Sequence, residues 1–243
     1  MVNDRYSRQM ILPGIGVEGQ KKISSAKVLI IGVGGLGSVA SQYLVGAGVG
    51  TLGVVDCDNV DASNLHRQIL YRESDIGQAK SEVAATRLKQ LNSDVKIANY
   101  QLRINADNIA EILVGYDLVL DCTDNFCSRF LINDACVKNN KPLIHGALLM
   151  WEGQVTTIYP GKGPCYRCLF PDEPPPNIIP TCRESGVIGA LAGIIGSLQA
   201  AEAIKLIVGM DDLLIGKLLT FNLKTNDFRK ISYSQSKSCK LHA

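Results

Sequence analysis

The stretch KVLIIGVGGLGS, residues 27–38, constrains the fold of this chain more than any other part of its sequence. An aliphatic run predicts a buried strand, and glycines 32, 34 and 37 follow it immediately. Such glycines close a strand-to-helix turn, let the backbone approach a phosphate and let the helix pack on the strand. We therefore predict a nucleotide site here. A merely tight turn between a strand and a helix is the alternative.

Strands and helices alternate through the first part of the chain. We predict strands near residues 27–32, 50–56, 95–101, 117–121 and 142–147, and amphipathic helices at residues 36–48, 79–92 and 125–140. This order is typical of an α/β protein with a Rossmann-like, doubly wound and mainly parallel sheet.

The pattern changes after about residue 150. An alternating segment at residues 153–160 predicts an antiparallel strand, and five prolines between residues 171 and 180 predict an extended loop. A long helix near residues 187–208 and two strands near 217–222 and 227–233 follow. We expect one domain over residues 1–243, with a nucleotide-binding half at 1–150 and a second half at 151–243.

Composition limits the classes of partner. The chain has 243 residues, 46% of them apolar, with 25 basic and 23 acidic side chains and no basic run, so a nucleic-acid partner is not indicated. The first residues do not resemble a signal peptide, and we expect a cytoplasmic protein. The unbroken apolar run at residues 187–198 is about half of the ~20 residues that a membrane span needs. We interpret Gln199, Glu202 and Lys205 as the solvated face of a core helix.

The residues after the glycines favour one nucleotide. Asp56 follows Gly37 by 19 residues, at the end of the next predicted strand, where a carboxylate can bind ribose. This feature fits NAD, FAD and ATP alike. Asn64, Arg67 and Lys80 come next, and a triphosphate needs such donors beyond the glycine loop. Solvated surface charges are the alternative for Arg67 and Lys80.

A metal site is predicted where the strand in LVLDCTDN ends. In an open α/β sheet, ligands bind beyond the carboxyl ends of the strands, so Asp124 and Asn125 should face the glycine loop. A carboxylate there could hold Mg²⁺ together with the phosphates of a substrate. A helix cap explains Asp124 equally well.

The eight cysteines fall into groups. In a cytosolic protein we expect no disulfide framework, and we interpret four cysteines as small buried apolar residues: Cys57, Cys122, Cys127 and Cys136. Two pairs with the same spacing predict a closed zinc site that pins the tail of the chain: Cys165 with Cys168, and Cys239 with His242. Unrelated thiols and a thioredoxin-like redox pair are the alternatives.

Several motifs together resemble a known family over nearly the whole chain. They are RYSRQ, GVGGLGS, DNVDASNLHRQ, GQAKSE, DCTDN, CYRC and the terminal metal-binding pair. The HesA/MoeB/ThiF family, which they resemble, consists of adenylyltransferases of ubiquitin-like sulfur carrier proteins. The resemblance implies ATP and Mg²⁺, and a carrier that ends in Gly-Gly and is converted to its acyl-adenylate with release of pyrophosphate. It further implies a homodimer, a separate sulfur donor, and a role in thiamin or molybdenum cofactor biosynthesis. Residues 151–243 would then be the carrier- and zinc-binding half of the domain.

The resemblance also implies roles for individual residues. Asp56 would bind ribose, Gly35 and residues 64–67 the phosphates, Lys80 the triphosphate and Asp124 the Mg²⁺. The nucleotide-binding set is then Gly32, Gly34, Gly35, Gly37, Asp56, Asp58, Ser63, Asn64, Arg67, Lys80, Asp124 and Asn125. The catalytic set is Arg67, Lys80, Asp124, Cys182 and Arg8, the last of these reaching the nucleotide of the other subunit.

The resemblance leaves the roles of two residues open, Cys182 and His242. Cys182, in a loop beside Arg183, is either a sulfur-transfer thiol or a spectator. The tail ends in Cys239 and His242 where the family has a second Cys-x-x-Cys, so His242 is the uncertain zinc ligand. The alternatives to the main function are a threonylcarbamoyladenosine dehydratase-like enzyme acting on a modified tRNA base, a nicotinamide oxidoreductase, and a non-catalytic binding module.

Overall fold

The computed structural model describes residues 4–175 and 185–242. The eight strands are β1 Lys27–Ile31, β2 Thr51–Val55, β3 Lys96–Tyr100, β4 Leu118–Asp121, β5 Leu143–Leu149, β6 Glu152–Ile158, β7 Lys217–Asn222 and β8 Asp227–Ser232. The helices are α1 Ser7–Met10, α2 Gly16–Ser25, α3 Gly35–Ala47, α4 Lys80–Leu91, α5 Ile109–Val114, α6 Phe126–Lys138, α7 Tyr166–Leu169 and α8 Gly189–Val208. Short 3-10 helices lie at Asp4–Tyr6, Ala62–Asn64 and Glu73–Asp75.

The strands form one sheet in the order β3-β2-β1-β4-β5-β6-β7-β8. Strands β1 to β5 pair in parallel, and β5 to β8 pair in antiparallel fashion. The predicted α/β fold with an antiparallel extension is therefore confirmed. The chain order reverses between β1 and β4, and ligands of such sheets bind beyond the carboxyl ends of the strands at that point.

The alternation of side chains along β1 explains the two layers of core. Val28 and Ile30 face a cluster that includes residues of α3, α4 and α8. Leu29 and Ile31 face the opposite cluster, which includes residues of α5 and α6 and Tyr166. Because successive side chains of a strand point to opposite faces, a run that is apolar at every position requires cover on both sides. The sheet is thus sandwiched between helices.

Helix α8 corrects one sequence expectation. Gln199 and Glu202, predicted to be solvated, are buried. The amide of Gln199 donates to the carbonyl oxygens of Asp121 and Ile144 at 2.8 and 3.2 Å, so it pairs backbone groups where β4 and β5 end. Glu202 accepts hydrogen bonds from the hydroxyl of Thr157 and from the backbone N–H of Leu214. Polar residues at every third position of a helix can face either solvent or polar groups of a sheet. The sequence pattern alone did not distinguish these two cases.

The same helix is long and apolar enough to cross a membrane by length and composition. Half of its apolar window is buried inside the protein, however. A Cβ added to Gly196 would lie 2.6 Å from the carbonyl oxygen of Leu36, so the glycine lets α8 approach α3 closely. This is the packing of a core helix and is consistent with a soluble protein.

Two cysteines also differ from expectation. Cys122 and Cys136 are buried, as predicted, but Cys57 and Cys127 are exposed. Cys57 lies beyond the end of β2, and Cys127 lies in the first turn of α6. An apolar neighbourhood in the sequence did not imply burial there, because Cys57 lies in the loop after β2 and Cys127 lies on an exposed face of α6.

Candidate functional site

The glycine turn is built as its sequence predicts. Gly32 has φ of 90°, and a Cβ there would lie 2.8 Å from the carbonyl oxygen of Cys122 on the neighbouring chain segment. A Cβ on Gly37 would lie 1.9 Å from the carbonyl oxygen of Gly32, so no side chain fits at position 37. Gly34 and Gly35 open α3 and line a cavity of about 430 Å³, called here the nucleotide crevice.

Asp56 joins the glycine turn to the end of β2. Its carboxylate accepts hydrogen bonds from the backbone N–H groups of Val33 at 2.8 Å and Asp58 at 2.9 Å. Burial raises the pKa of Asp56, while the positive charge of Lys80 acts in the opposite direction. Since a carboxylate offers about four lone-pair sites, it still has capacity for ribose hydroxyls.

Lys80 begins α4 and is buried against the crevice. Its Nζ lies 3.2 Å from Oδ2 of Asp58, and its backbone N–H donates to the carbonyl oxygen of Asp58 at 2.9 Å. Burial alone would raise the pKa of Asp58, but the charge and hydrogen bond of Lys80 lower it. The hydroxyl of Tyr71 braces this corner by donating to the carbonyl oxygen of Val33 at 2.8 Å. Lys80 is therefore not a solvated surface charge.

Arg67 reaches the crevice from the segment between β2 and α4. Its Nη1 donates to the carbonyl oxygen of Ser63 at 2.9 Å and lies 2.8 Å from Nε2 of His66. The hydroxyl of Ser63 donates to the carboxylate of Asp61 at 2.6 Å, so this side chain serves the local turn. The guanidinium of Arg67 is only half-buried and faces the cavity wall.

In the turn after β4, Asp124 and Asn125 have different roles, which the sequence alone left open. Asn125, and not Asp124, caps α6, because its Oδ1 accepts a hydrogen bond from the backbone N–H of Ser128 at 2.9 Å. Asp124 is exposed and lines the crevice. The helix-cap alternative for Asp124 is thus wrong, and its carboxylate faces the space in which a metal–phosphate complex would lie.

A second cavity adjoins the first. It measures about 700 Å³, is called here the groove, and runs over the antiparallel strands, with Gly153, Gln154, Thr220 and Phe221 in its wall. Three residues line both the groove and the crevice: Asp124, Arg129 and Leu148. The two spaces therefore meet beside Asp124, where something held in the groove can touch something held in the crevice.

The structure brings nine predicted nucleotide-binding residues to the crevice wall. These are Gly32, Gly34, Gly35, Asp56, Asp58, Arg67, Lys80, Asp124 and Asn125. Within the described part of the chain, Gly37, Ser63 and Asn64 do not line it. Gly37 acts in the turn itself, and Ser63 is turned toward Asp61. Cys182 lies outside the described residues.

Sequence reasoning missed a buried polar group behind the crevice. Nδ1 of His145 lies 2.8 Å from Oδ2 of Asp121, and both side chains are buried. Nε2 of His145 is buried and has no hydrogen-bond partner within the described residues. Burial lowers the pKa of His145, so the neutral ring donates from Nδ1 to the carboxylate. The register of parallel strands β4 and β5, which pairs Asp121 with His145, is the signal that could have revealed this contact.

The predicted metal ligands converge. Sγ of Cys165 lies 3.9 Å from Sγ of Cys168 and 3.7 Å from Sγ of Cys239. Together with a ring nitrogen of His242, the four ligand atoms all lie within 4.8 Å of one another. Tetrahedral Zn–S bonds of about 2.3 Å require sulfur atoms about 3.8 Å apart, which matches this geometry. Nε2 of His242 is buried and lacks a partner in the described chain, so it fits as the fourth ligand.

The N-terminal motif RYSRQ lies at the other end of α3. The hydroxyl of Tyr6 accepts a hydrogen bond from Asn92 at 2.8 Å, and its ring occupies the space beside Gly48, where a Cβ would lie 2.4 Å from it. The amide of Gln9 donates to the carbonyl oxygen of Ala47 at 2.9 Å. Arg8 is exposed and does not line the crevice of its own chain.

Comparison with known proteins agrees with this architecture. The ThiF family model matches residues 6–241. The sulfur carrier protein adenylyltransferase of Thermus thermophilus is 48% identical over 241 residues, which cover 97% of this chain and 89% of that protein. The adenylyltransferase and sulfurtransferase MOCS3 of Drosophila sechellia is 51% identical over 227 residues, covering 93% of this chain and 50% of that protein. The chain thus spans about half the length of the MOCS3 relatives.

A solved structure shares the fold. Crystalline E. coli MccB with ATP superposes with a TM-score of 0.88 at 25% sequence identity, covering 99% of this chain and 74% of that one. The similarity extends over the parallel and the antiparallel parts of the sheet.

Proposed function

The chain belongs to the ThiF family, and we propose that it is an ATP-dependent adenylyltransferase that activates the C-terminal glycine carboxylate of a ubiquitin-like sulfur carrier protein. One observation carries the proposal: a glycine-turn crevice whose wall includes the cationic side chains of Arg67 and Lys80 meets an open groove at an exposed carboxylate, Asp124. The name of the Thermus thermophilus relative, of which this chain covers 89%, supports the carrier as the substrate class.

The reaction needs no general base, because a carboxylate is already ionised at pH 7. One carboxylate oxygen of the carrier attacks the α-phosphorus of ATP and forms a new P–O bond. The bond from the α-phosphorus to the bridging oxygen breaks, and pyrophosphate leaves with the electron pair. Positioning and neutralisation of phosphate charge then supply the catalysis. The backbone of the glycine turn, Arg67 and Lys80 are placed for that work.

Mg²⁺ fits the site through Asp124. The carboxylate is exposed where the two cavities meet, and Mg²⁺ commonly binds one or two carboxylates together with substrate phosphates. When bound, the ion would neutralise charge on the phosphate oxygens. The chain's own contribution is to hold Asp124 at the end of β4, just before the helix cap of Asn125.

A structural zinc ion fits the cluster of Cys165, Cys168, Cys239 and His242. The cluster links the start of α7 to the last residues of the described chain, so a bound ion would pin the tail to the domain. A redox role is disfavoured, because Cys165 approaches two other thiols equally and burial raises its pKa to about 12.

We propose a homodimer, and the position of Arg8 supports it. Helix α3 carries the glycine turn at its start and the Tyr6 anchor at its end, and its 13 residues span about 20 Å. Arg8 lies two residues after Tyr6 and does not line the crevice of its own chain. A role for Arg8 at a nucleotide requires the crevice of a second subunit.

The proposal extends to the cellular role of the enzyme. We place the enzyme in the cytoplasm, in thiamin or molybdenum cofactor biosynthesis, with sulfur delivered by a separate donor protein. The names of the MOCS3 relatives join adenylyltransferase with sulfurtransferase, which supports a sulfur-transfer context. Cys182 is proposed as an acceptor of the activated carrier.

ATP–pyrophosphate exchange tests the proposal. Purified protein, Mg²⁺ and each small Gly-Gly-terminated protein of the source genome are assayed with the wild type, with Asp124→Ala, and with Asp107→Ala. Asp107 is an exposed aspartate outside both cavities and controls for the loss of a surface charge. We expect exchange that requires one carrier, is lost in Asp124→Ala and persists in Asp107→Ala. A folded protein that binds ATP but exchanges with no carrier contradicts the proposal.

A further inference from the structure

Arg129 lies at the junction of the two cavities and had no role in the sequence analysis. It follows Asp124 by five residues and sits in the first turn of α6. Its side chain lines both the nucleotide crevice and the groove, yet the residue is only 7% exposed. A buried cation at the meeting point of two cavities calls for a chemical explanation.

The guanidinium has unused hydrogen-bonding capacity. Within the described residues, Nη2 makes one long contact, 3.4 Å from the carbonyl oxygen of Thr123, and the guanidinium also lies near the hydroxyl of Tyr166, which leaves most of its five N–H donors free. Nε is buried and has no partner among the described residues. The group lies over the ring of Phe126, 5.0 Å from the centroid, which fixes its plane without satisfying its donors. Leaving such donors unpaired is unfavourable, so the arrangement suits a ligand that accepts hydrogen bonds.

The charge of Arg129 also lacks a carboxylate in direct contact. Within the described residues no carboxylate lies within 4 Å of Arg129. The buried carboxylate of Asp121 interacts with Arg129 at longer range, but its hydrogen bonds come from His145 and Thr123. The first turn of a helix also disfavours a cation, because the N-terminal end of the helix dipole is positive. An anion brought to the junction would relieve both effects.

The charges of the groove wall indicate which kind of anion Arg129 binds. Among the described residues, this wall carries more acid than base, with acidic side chains at Asp124, Glu152, Asp172 and Asp227 and basic ones at Arg129 and Arg229. A chain end with a carboxylate would be repelled along such a groove, unless a positive group marks its inner end. Arg229 does not line the crevice, whereas Arg129 does.

We infer that Arg129 binds the carboxylate of the carrier's last glycine and holds it for attack on ATP, an assignment that rests on the proposed function. Its N–H donors engage the oxygen that does not attack, and the other oxygen forms the bond to the α-phosphorus as pyrophosphate leaves. The phosphates themselves have separate donors in the glycine turn, Arg67 and Lys80. Arg129 is thus a residue of substrate recognition and orientation on the groove side of the reaction.

Paired binding measurements test this role. The carrier that supports wild-type exchange is prepared with its natural C-terminal carboxylate and with a C-terminal amide. Dissociation constants for both forms are measured in the presence of Mg²⁺ and an ATP analogue with a methylene group between the α- and β-phosphates. Wild-type protein should bind the carboxylate form about 10- to 100-fold more tightly than the amide.

Two arginine variants are compared with the wild type. In Arg129→Gln the preference for the carboxylate should disappear, and Arg129→Lys should keep part of it, while both variants bind the ATP analogue with wild-type affinity. Arg229→Gln removes a positive charge from the same groove and should leave the preference intact. Melting temperatures establish that each variant is folded.

Each other outcome overturns the inference in a distinct way. An undiminished carboxylate preference in Arg129→Gln shows that Arg129 does not bind that group. Weakened binding of the ATP analogue in the same variant makes Arg129 a phosphate ligand instead. If the wild type neither binds any Gly-Gly-terminated protein nor shows exchange with one, the proposed function itself fails, and this inference fails with it.

Discussion

The ammonium group of Lys80 lies 3.2 Å from the carboxylate of Asp58, with the side chain of the lysine 7% exposed and that of the aspartate 52% exposed. Lys80 therefore keeps a fixed position at the crevice wall before any nucleotide binds. A triphosphate entering the crevice meets a cation that is already desolvated, so little further reorganisation is needed.

Replacement of Lys80 tests this arrangement. We expect Lys80→Met to weaken ATP binding by about 10- to 100-fold, because a charge-assisted hydrogen bond to phosphate is lost. Isothermal titration calorimetry measures the effect. Lys89→Met is the matched control, since it removes an exposed lysine from the far end of the same helix and should bind ATP as the wild type does. Equal affinities in the two variants would refute the role of Lys80.

The Asp121–His145 pair predicts a pH dependence of stability. Burial lowers the pKa of His145, so the native ring stays neutral while the unfolded chain takes up a proton below about pH 6.5. The free energy of unfolding therefore falls as the pH drops below that value, by up to about 1.4 kcal/mol per pH unit. The pKa of Asp121 is also lowered: burial alone would raise it, but the hydrogen bond from His145 prevails. Its own contribution is lost only at much lower pH.

Denaturant unfolding between pH 7.5 and 5 measures this slope. His145→Asn should be flatter than the wild type over the range, whatever its absolute stability. His66→Asn alters an exposed histidine and should keep the wild-type slope. If His145→Asn lost stability with falling pH as steeply as the wild type, another group would be responsible.

Replacing either of two glycines in α3 by alanine should change the free energy of unfolding in opposite directions. Gly37→Ala places a Cβ 1.9 Å from the carbonyl oxygen of Gly32, so strand and helix must separate. We expect a loss of about 3 kcal/mol or more in unfolding free energy. Gly46→Ala has no heavy atom within 4 Å of the new Cβ and should stabilise the protein by up to about 1 kcal/mol. Thermal unfolding distinguishes them, and a tolerated Gly37→Ala would contradict the packing described here.

Metal binding at the tail predicts a specific pattern among variants. Zinc measured by atomic emission should be stoichiometric in the wild type and lost in Cys239→Ser, with Tm lower by about 5–10 °C. His242→Ala should weaken zinc retention against a chelator, and His242→Cys should restore it, because thiolate is an equally good zinc ligand. Cys57→Ser, at an exposed cysteine elsewhere, should keep its metal. Full zinc content in Cys239→Ser would rule out the site.

Local patterns in the sequence predicted most of the fold. The strands near 27–32 and 117–121 lie within one residue of β1 and β4, because continuous aliphatic runs are typical of a sheet covered on both faces. Helices α2 and α5 and the one-turn helices α1 and α7 were not predicted. The four metal ligands were found because paired spacing is a short-range signal.

What the sequence did not reveal depends on contacts between distant segments. Gln199 and Glu202 look solvated on a helical pattern, and only the position of α8 across β4 and β5 shows that they bind buried backbone and hydroxyl groups. His145 and Arg129 carry no motif that a single sequence makes visible. Their roles arise from the register of β4 with β5 and from the meeting of two cavities.

The transfer of oxygen from carrier to AMP tests the central claim most directly. A carrier labelled with oxygen-18 in its C-terminal carboxylate is incubated with the enzyme, ATP and Mg²⁺, and hydroxylamine then cleaves the product at its carbonyl carbon. Attack on the α-phosphorus predicts that mass spectrometry finds the label in AMP, along with unlabelled pyrophosphate. Label in inorganic phosphate accompanied by ADP, or no label in any phosphate product, would contradict the account.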